Sequence, residues 1–65
     1  MTWTRDNYPT EFEGYTEVVR NKLIEVANRL IDEEGEEDVA AAAQAITLVK
    51  AWADENGIEM SVSEH

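Results

Sequence analysis

Two stretches of helically spaced apolar residues, joined by one glycine in an acidic run, constrain this chain more than any other feature. The first stretch carries apolar residues in steps of three and four. They are Val19, Leu23, Val26, Ala27 and Leu30, with Ile24 and Ile31 widening one flank. Thr16 is a suitable N-cap before this stretch, and Gly35 is a suitable C-terminal stop after it. The pattern predicts an amphipathic helix over about residues 17–34.

The second stretch predicts another helix over about residues 37–56, ended by Gly57. Its apolar residues form two adjacent lines: Val39, Ala43, Ile46, Val49 and Ala53, then Ala45, Leu48 and Trp52. The alanines combine high helix propensity with small size, so we expect them to let the first helix approach closely. Because a short connection favours antiparallel neighbours, the sequence predicts an all-α fold, an antiparallel helical hairpin.

A hairpin buries the seam between its helices and leaves outer apolar side chains to be covered. These are Ile24, Ile31, Leu48 and Trp52. We expect the aromatic N-terminal segment, residues 1–15, to pack on the hairpin. We also expect it to hold a short helical turn, capped by Thr4 and stopped before Pro9. A second copy of the chain is the alternative cover.

The length of 65 residues allows one small domain, which we place at residues 1–57. We expect residues 58–65 to form a flexible or loosely docked tail, extended or disordered. A chain of this size buries only about 60% of the surface of its unfolded state. It can offer a patch or a shallow groove, and we predict no enzymatic activity.

The charge is lopsided, with 15 acidic and five basic residues and a formal net charge of −10. Phosphates of nucleic acids and anionic membranes are repelled by such a surface, so we expect neither as a partner. The absence of cysteine and of a long apolar run favours a cytoplasmic location. An acid excess of this kind is typical of proteins that stay soluble in molar salt, which predicts a halophilic source.

Six acids stand within residues 32–38, on both sides of Gly35, and a helix–loop–helix with acids suggests a calcium loop. With Gly35 at loop position 6, the bidentate glutamate position falls on Ala41; with Asp32 at position 1, it falls on Ala43. Both registers fail, and we predict no metal site and no cofactor. The acids instead suit the start of the second helix. Contact with a basic protein and weak binding of divalent cations remain alternatives.

Five residues are candidates for a partner surface: Trp3, Tyr8, Arg20, Asn28 and Trp52. Asparagine is unfavourable inside a helix, so we interpret Asn28 as a hydrogen-bond partner of the N-terminal segment. We interpret Arg20 as pairing with local acids; the alternative places both in a recognition surface. The three aromatic residues are interpreted as core, with a ligand-stacking platform as the alternative.

These residues also carry a resemblance. Trp3-Thr4, Tyr8-Pro9, Val19-Arg20, Ala27-Asn28 and Ala51-Trp52 resemble elements of a group of largely uncharacterised small helical proteins of bacteria and archaea. That group begins Met-Pro-Trp-Thr, continues through Tyr-Pro and Val-Arg-x-Lys-Ala-Ile-x-Ile-Ala-Asn, and is distantly similar to ChaB-type proteins, described as cation transport regulators. The resemblance covers about residues 1–53. It departs at Thr2, where proline is usual, and at residues 14–17.

The resemblance implies a compact helical fold with the N-terminal Trp and Tyr packed on the helices, and no established activity. Together with the residues themselves, it predicts a small non-catalytic protein-interaction or regulatory module. Its partner would be another protein or a second copy in a homodimer. The alternative function is an acidic surface that binds a basic protein or divalent cations, as a cation-linked regulator similar to ChaB.

Overall fold

The fold is a pair of packed helices preceded by a short helical turn. A computed structural model, which describes residues 2–58, contains a 3₁₀-helix, Thr10–Phe12, and two α-helices, α1 (Glu17–Glu34) and α2 (Asp38–Asn56). The two α-helices pack against each other, and no β-strand occurs in the residues described. The predicted all-α helical hairpin is confirmed, with helix bounds within one residue of those expected.

Local capping chemistry sets the helix ends. The Thr16 hydroxyl accepts a hydrogen bond from the backbone N–H of Val19 at 3.4 Å, which satisfies one of the free donors of the first turn. At the other end of α1, Gly35 has φ 73° and donates its N–H to the carbonyl of Leu30. Glycine adopts this left-handed conformation without the strain that a Cβ atom introduces. The chain therefore turns sharply, and α2 starts three residues after Gly35.

The core lies along the seam between the helices. Val19, Leu23 and Ala27 of α1 are fully buried in the same cluster as Ala41, Ala45 and Val49 of α2. Phe12 of the 3₁₀-helix is also fully buried there and is the largest such side chain. Val19 and Leu23 on α1 thus meet alanines on α2, which lets the helices approach closely.

The predicted apolar lines of α2 are confirmed in the second half of the helix and wrong in the first. Val49 and Ala53 of one line and Ala45 of the other are fully buried. Val39 is 76% exposed and Ala43 is exposed, and Ala41 and Ala42 are buried in their place. The first turns of α2 thus direct alanines toward the larger buried side chains of α1.

The N-terminal segment packs on the hairpin as expected, with Trp3, Tyr8 and Tyr15 partly buried against the core. Its helical turn, however, follows Pro9 instead of preceding it. Before the proline, Thr4 and Asn7 exchange two backbone hydrogen bonds of 2.9 and 3.2 Å in a tight turn. The fixed φ of proline suits the start of a helix, which explains the position of the 3₁₀-helix.

The C-terminal end of α2 closes with the N–H of Ile58 donating to the carbonyl of Ala53 at 2.8 Å. Ile58 is half-buried and packs against the core. The rest of the predicted tail, residues 59–65, lies outside the described residues. Neither helix of the described part is long and apolar enough to span a bilayer.

Candidate functional site

Asn28 holds the N-terminal segment on α1. Its side-chain oxygen accepts hydrogen bonds from the backbone N–H groups of Thr2 at 3.0 Å and of Trp3 at 2.9 Å. Its side-chain amide donates to the carbonyl of Trp3 at 2.9 Å. Asn28 is only 5% exposed, so these bonds satisfy a polar group that burial would otherwise penalise. The interpretation of Asn28 as a partner of the N-terminal segment is confirmed.

Trp3 is fixed by a second contact. Its ring meets the ring of Phe12 edge-on, with centroids 6.0 Å apart and an interplanar angle of 73°. This geometry is favourable for aromatic pairs because the positive edge of one ring faces the negative face of the other. Trp3 is therefore a packing residue that ties the N-terminal segment to the core.

Arg20 contacts the N-terminal segment without pairing with an acid. Its Nη1 donates to the carbonyl of Tyr15 at 3.3 Å, and its guanidinium carbon lies 5.2 Å from the centroid of the Tyr8 ring, in a cation–π arrangement. No described carboxylate lies within 4.0 Å of it, so the expected ion pair was wrong. Glu17, the nearest candidate along the helix, pairs with Arg5 at 3.4 Å. The Nε of Arg20 is buried and has no hydrogen-bond partner among residues 2–58.

Trp52 lies on the other side of α1 from Tyr8. The ammonium of Lys22 lies 5.3 Å from the centroid of the Trp52 ring. Lys22 and Arg20 are two residues apart on a helix, so their side chains diverge by about 200°. The structure therefore groups Trp3, Tyr8, Arg20 and Asn28 around the N-terminal segment and separates Trp52 from them.

The side of the hairpin that carries Trp52 has no cover from the N-terminal segment. Leu48 precedes Trp52 by one helical turn, and Val26 follows Lys22 by one turn. Because α1 and α2 are antiparallel, these four side chains share one side of the molecule. We call Lys22, Val26, Leu48 and Trp52 the open face. Leu48 is 52% exposed, and Val26 and Trp52 are half-buried.

The position of Val39 shows why the N-terminal segment does not reach the open face. Val39 lines a shallow depression with Trp3 and Pro9, on the side that the N-terminal segment occupies. Leu48 follows Val39 by nine residues, which corresponds to a rotation of about 180° around α2. Leu48 and Trp52 were recognised from the sequence as needing cover. Lys22 and Val26 were not, since their place depends on how the two helices pair.

Positively and negatively charged side chains both lie at the edge of the open face. Glu25 pairs with Lys22 at 3.6 Å and with Arg29 at 3.3 Å, all on α1. The acidic run of residues 32–38 lies at the end of the hairpin, where most of its side chains are exposed. Within residues 2–58, no group of three or more His, Cys, Asp or Glu side chains is arranged to hold a metal ion.

Two larger depressions lie on the surface of the described residues. One, of about 410 Å³, is lined by Arg5, Asp6, Glu17, Arg20 and Asn21. The other, of about 510 Å³, is lined by Thr47, Lys50, Ala51, Asp54 and Ile58. The Thr47 hydroxyl donates to the carbonyl of Ala43 at 3.4 Å, within its own helix.

Among known proteins, the chain is similar to the uncharacterized protein YdaT of Bacillus subtilis (strain 168). The two are 37% identical over 54 residues, which amount to 83% of this chain and 35% of YdaT. The chain thus spans about a third of the length of that relative. No family model matches the chain, and no solved structure matches it. These comparisons do not address the ChaB-like resemblance, which stays a prediction.

Proposed function

We propose that this chain is a small non-catalytic protein-interaction or regulatory module and that the open face is its contact surface. The proposal rests on one observation: a half-exposed leucine stands beside a partly buried tryptophan on the side of the hairpin that the N-terminal segment leaves uncovered. The candidate residues around the N-terminal segment, which are Trp3, Tyr8, Arg20 and Asn28, already have a structural role in holding that segment on the hairpin. Trp52 is therefore the candidate that remains for recognition.

The chemistry of the open face suits a protein partner. Tryptophan is enriched among the residues that contribute most to binding, because it buries a large area with few rotatable bonds. The ammonium of Lys22 lies 5.3 Å from the centre of the Trp52 ring, so the open face presents a cation directly beside an aromatic ring. Leu48 supplies an apolar group that gains free energy when a partner removes it from water.

The test compares two glutamate substitutions of exposed apolar residues on opposite sides of α2. Leu48→Glu places a charge in the open face, whereas Val39→Glu places one on the other side. With the chain immobilised as bait, we expect Leu48→Glu to lose protein partners, including its own copies, that wild type and Val39→Glu retain. Equal capture by all three baits would contradict the proposal, provided that circular dichroism shows all three to be folded.

The acidic connection between the helices is a second candidate surface, for a basic protein or a divalent cation. It is favoured by the exposure of Glu33, Glu34, Glu37 and Asp38 within six residues. The ChaB-like resemblance implies a cation-linked role of this kind. Titration with Ca²⁺ and Mg²⁺ would move the amide resonances of residues 32–38 in a saturable way if this function holds. Unchanged resonances would eliminate the cation form of this proposal.

We also propose a salt-rich cytoplasm as the working environment. The net charge of −10 supports this, since self-repulsion at this density falls when salt shortens the screening length. The salt dependence of stability, considered below, is its test.

A further inference from the structure

We infer that the site on the hairpin that holds Thr2 and Trp3 is a peptide-binding site, which accepts an extended segment of another protein when the N-terminal segment leaves it. The segment that it fits presents its main chain to Asn28 and carries a tryptophan at the position of Trp3. The site is separate from the open face. Three observations support it: the atoms that Asn28 binds, the surroundings of the Trp3 ring and the weak attachment of residues 4–7.

Asn28 binds the N-terminal segment without using a side chain of that segment. All three of its hydrogen bonds go to main-chain atoms, the N–H groups of Thr2 and Trp3 and the carbonyl of Trp3. Every residue except proline offers the same N–H and C=O groups, so an extended segment of another sequence can replace each of these bonds. Asn28 is therefore a clamp for an extended backbone, of the kind that a peptide site needs.

The Trp3 ring supplies the selectivity that the backbone hydrogen bonds lack. The ring packs edge-on against the fully buried Phe12, and it borders a shallow depression with Pro9, Val39 and Ala42. A tryptophan buries a large apolar area with few rotatable bonds, which makes it a frequent anchor in recognition. A small side chain at this position would leave part of the Phe12 ring in contact with water. We therefore expect the site to select a tryptophan.

The turn that follows Trp3 adds little to the attachment. Its residues, 4–7, are exposed, and its backbone hydrogen bonds run within the turn. One ion pair, Arg5 with Glu17 at 3.4 Å, joins the turn to α1, and both side chains are exposed. Exposed ion pairs contribute little to stability. A segment in trans therefore competes with few contacts outside the clamp of Asn28.

The N-terminal segment of the chain itself competes with any peptide for this site. A tethered segment acts at an effective concentration of about millimolar, and the apparent affinity for a free peptide falls with the fraction of molecules whose site is open. Trp3→Ala weakens the tethered segment and leaves Asn28 and Phe12 in place. This substitution should therefore raise the affinity for a peptide in trans.

Binding of a synthetic peptide to the complete chain tests the site. The probe has the sequence of residues 1–8, whose side chains carry no net charge, and it bears a fluorophore for anisotropy measurements. We expect Trp3→Ala to bind the probe about tenfold more tightly than wild type, or better. Adding Asn28→Ala to this variant should abolish binding, whereas adding Asn21→Ala, the matched control, should not. Equal affinities of wild type and Trp3→Ala, or of the two double variants, would overturn the inference.

Variant peptides test which groups the site recognises. A probe with Thr2→Ala keeps every main-chain atom and should bind as the original probe does. A probe with Trp3→Ala should show no saturable binding. Binding that is lost with the threonine and kept without the tryptophan would overturn the proposed selectivity.

A measurement on wild type does not depend on the folding of any variant. Unlabelled peptide at millimolar concentration should move the indole N–H resonance of Trp3 in the isotope-labelled chain toward its position in the urea-unfolded chain. The indole resonance of Trp52 should stay in place. A Trp3 resonance that does not respond would show that no displacement occurs, and the inference would fail. The proposed function of the open face would be unaffected, since none of these measurements involves Leu48.

A second copy of the chain is the other possible donor of such a segment. Sedimentation velocity of wild type at millimolar concentration separates the two donors. We expect a monomer. A dimer that Trp3→Ala abolishes would place the N-terminal segment of a second copy in the site and would overturn the assignment to another protein.

Discussion

The carboxamide of Asn28 pairs with the backbone of Trp3 as one strand pairs with another. One backbone N–H donates to the side-chain oxygen at 2.9 Å, and the carbonyl of the same residue accepts from the side-chain nitrogen at 2.9 Å. The two residues are 25 positions apart in sequence. This contact fixes where the N-terminal segment lies, and so decides which side of the hairpin is covered and which is the open face.

Replacement of Asn28 by alanine should cost about 2–3 kcal/mol of unfolding free energy, because three hydrogen bonds of about 1 kcal/mol each are lost. Urea unfolding followed by circular dichroism measures the change. Asn21→Ala is the matched control, since Asn21 lies on the same helix and its side chain makes no hydrogen bond within residues 2–58. Equal losses for the two variants would contradict the role given to Asn28.

A larger side chain should destabilise the fold at Ala45, which lies in the seam, and should be tolerated at Ala43, which does not. Ala45 is fully buried against α1, so Ala45→Leu forces extra volume into a close-packed contact at a cost of about 1–3 kcal/mol. Ala43 is exposed, and leucine has high helix propensity, so Ala43→Leu should change stability by less than about 0.5 kcal/mol. Thermal unfolding of both variants checks the rotation of α2, because the reverse order would place Ala43 in the seam.

Loss of the cap on α1 should weaken the hairpin modestly. Thr16→Ala removes the hydroxyl that accepts from the N–H of Val19, and we expect a cost of about 1 kcal/mol. Thr16→Ser keeps the acceptor and should restore most of the stability. Chemical unfolding of the two variants measures the difference. A serine variant as unstable as the alanine variant would show that the hydroxyl contributes nothing.

Salt should stabilise the monomeric fold. With a net charge of −10, raising KCl from about 10 mM to 1 M shortens the screening length from about 30 Å to 3 Å and weakens self-repulsion. We expect the melting temperature of the wild type, measured at low protein concentration, to rise over this range. A variant with Glu33, Glu34 and Glu37 changed to glutamine should rise less. A melting temperature that does not change with the KCl concentration would contradict the hypothesis that this protein is adapted to high salt.

The helix bounds could be predicted because the residues that set them act locally. The hydroxyl of Thr16 accepts from an N–H three residues away, and Gly35 and Gly57 adopt positive φ directly after the last residue of each helix. Asn28 could also be predicted in part: a buried amide must find partners, and the N-terminal segment was the candidate. The partner of Arg20 could not, since Tyr8 reaches it through the fold of the chain.

Which residues of the first turns of α2 are buried could not be predicted, for a different reason. Five of the eight residues from Asp38 to Ala45 are alanines, so the start of this helix offers small apolar groups on nearly every side. Such a pattern does not indicate one buried face. The contact between Lys22 and Trp52 depends on the rotation of α2 and on the pairing of the helices. The open face is therefore a tertiary property of the fold.

The bonds of Asn28 involve only main-chain atoms of Thr2 and Trp3. The hairpin closes through contacts across a three-residue connection, whereas this attachment closes a loop of 25 residues, which costs more entropy. The residues before Pro9 should therefore detach before the helices separate, in a local opening that leaves Phe12 and the hairpin packed. In hydrogen exchange, the amide of Trp3 would then exchange faster than those of Leu23 and Val49. Local opening near Trp3 should therefore cost less free energy than separation of the helices, and the hydrogen bonds of Asn28 determine that smaller cost.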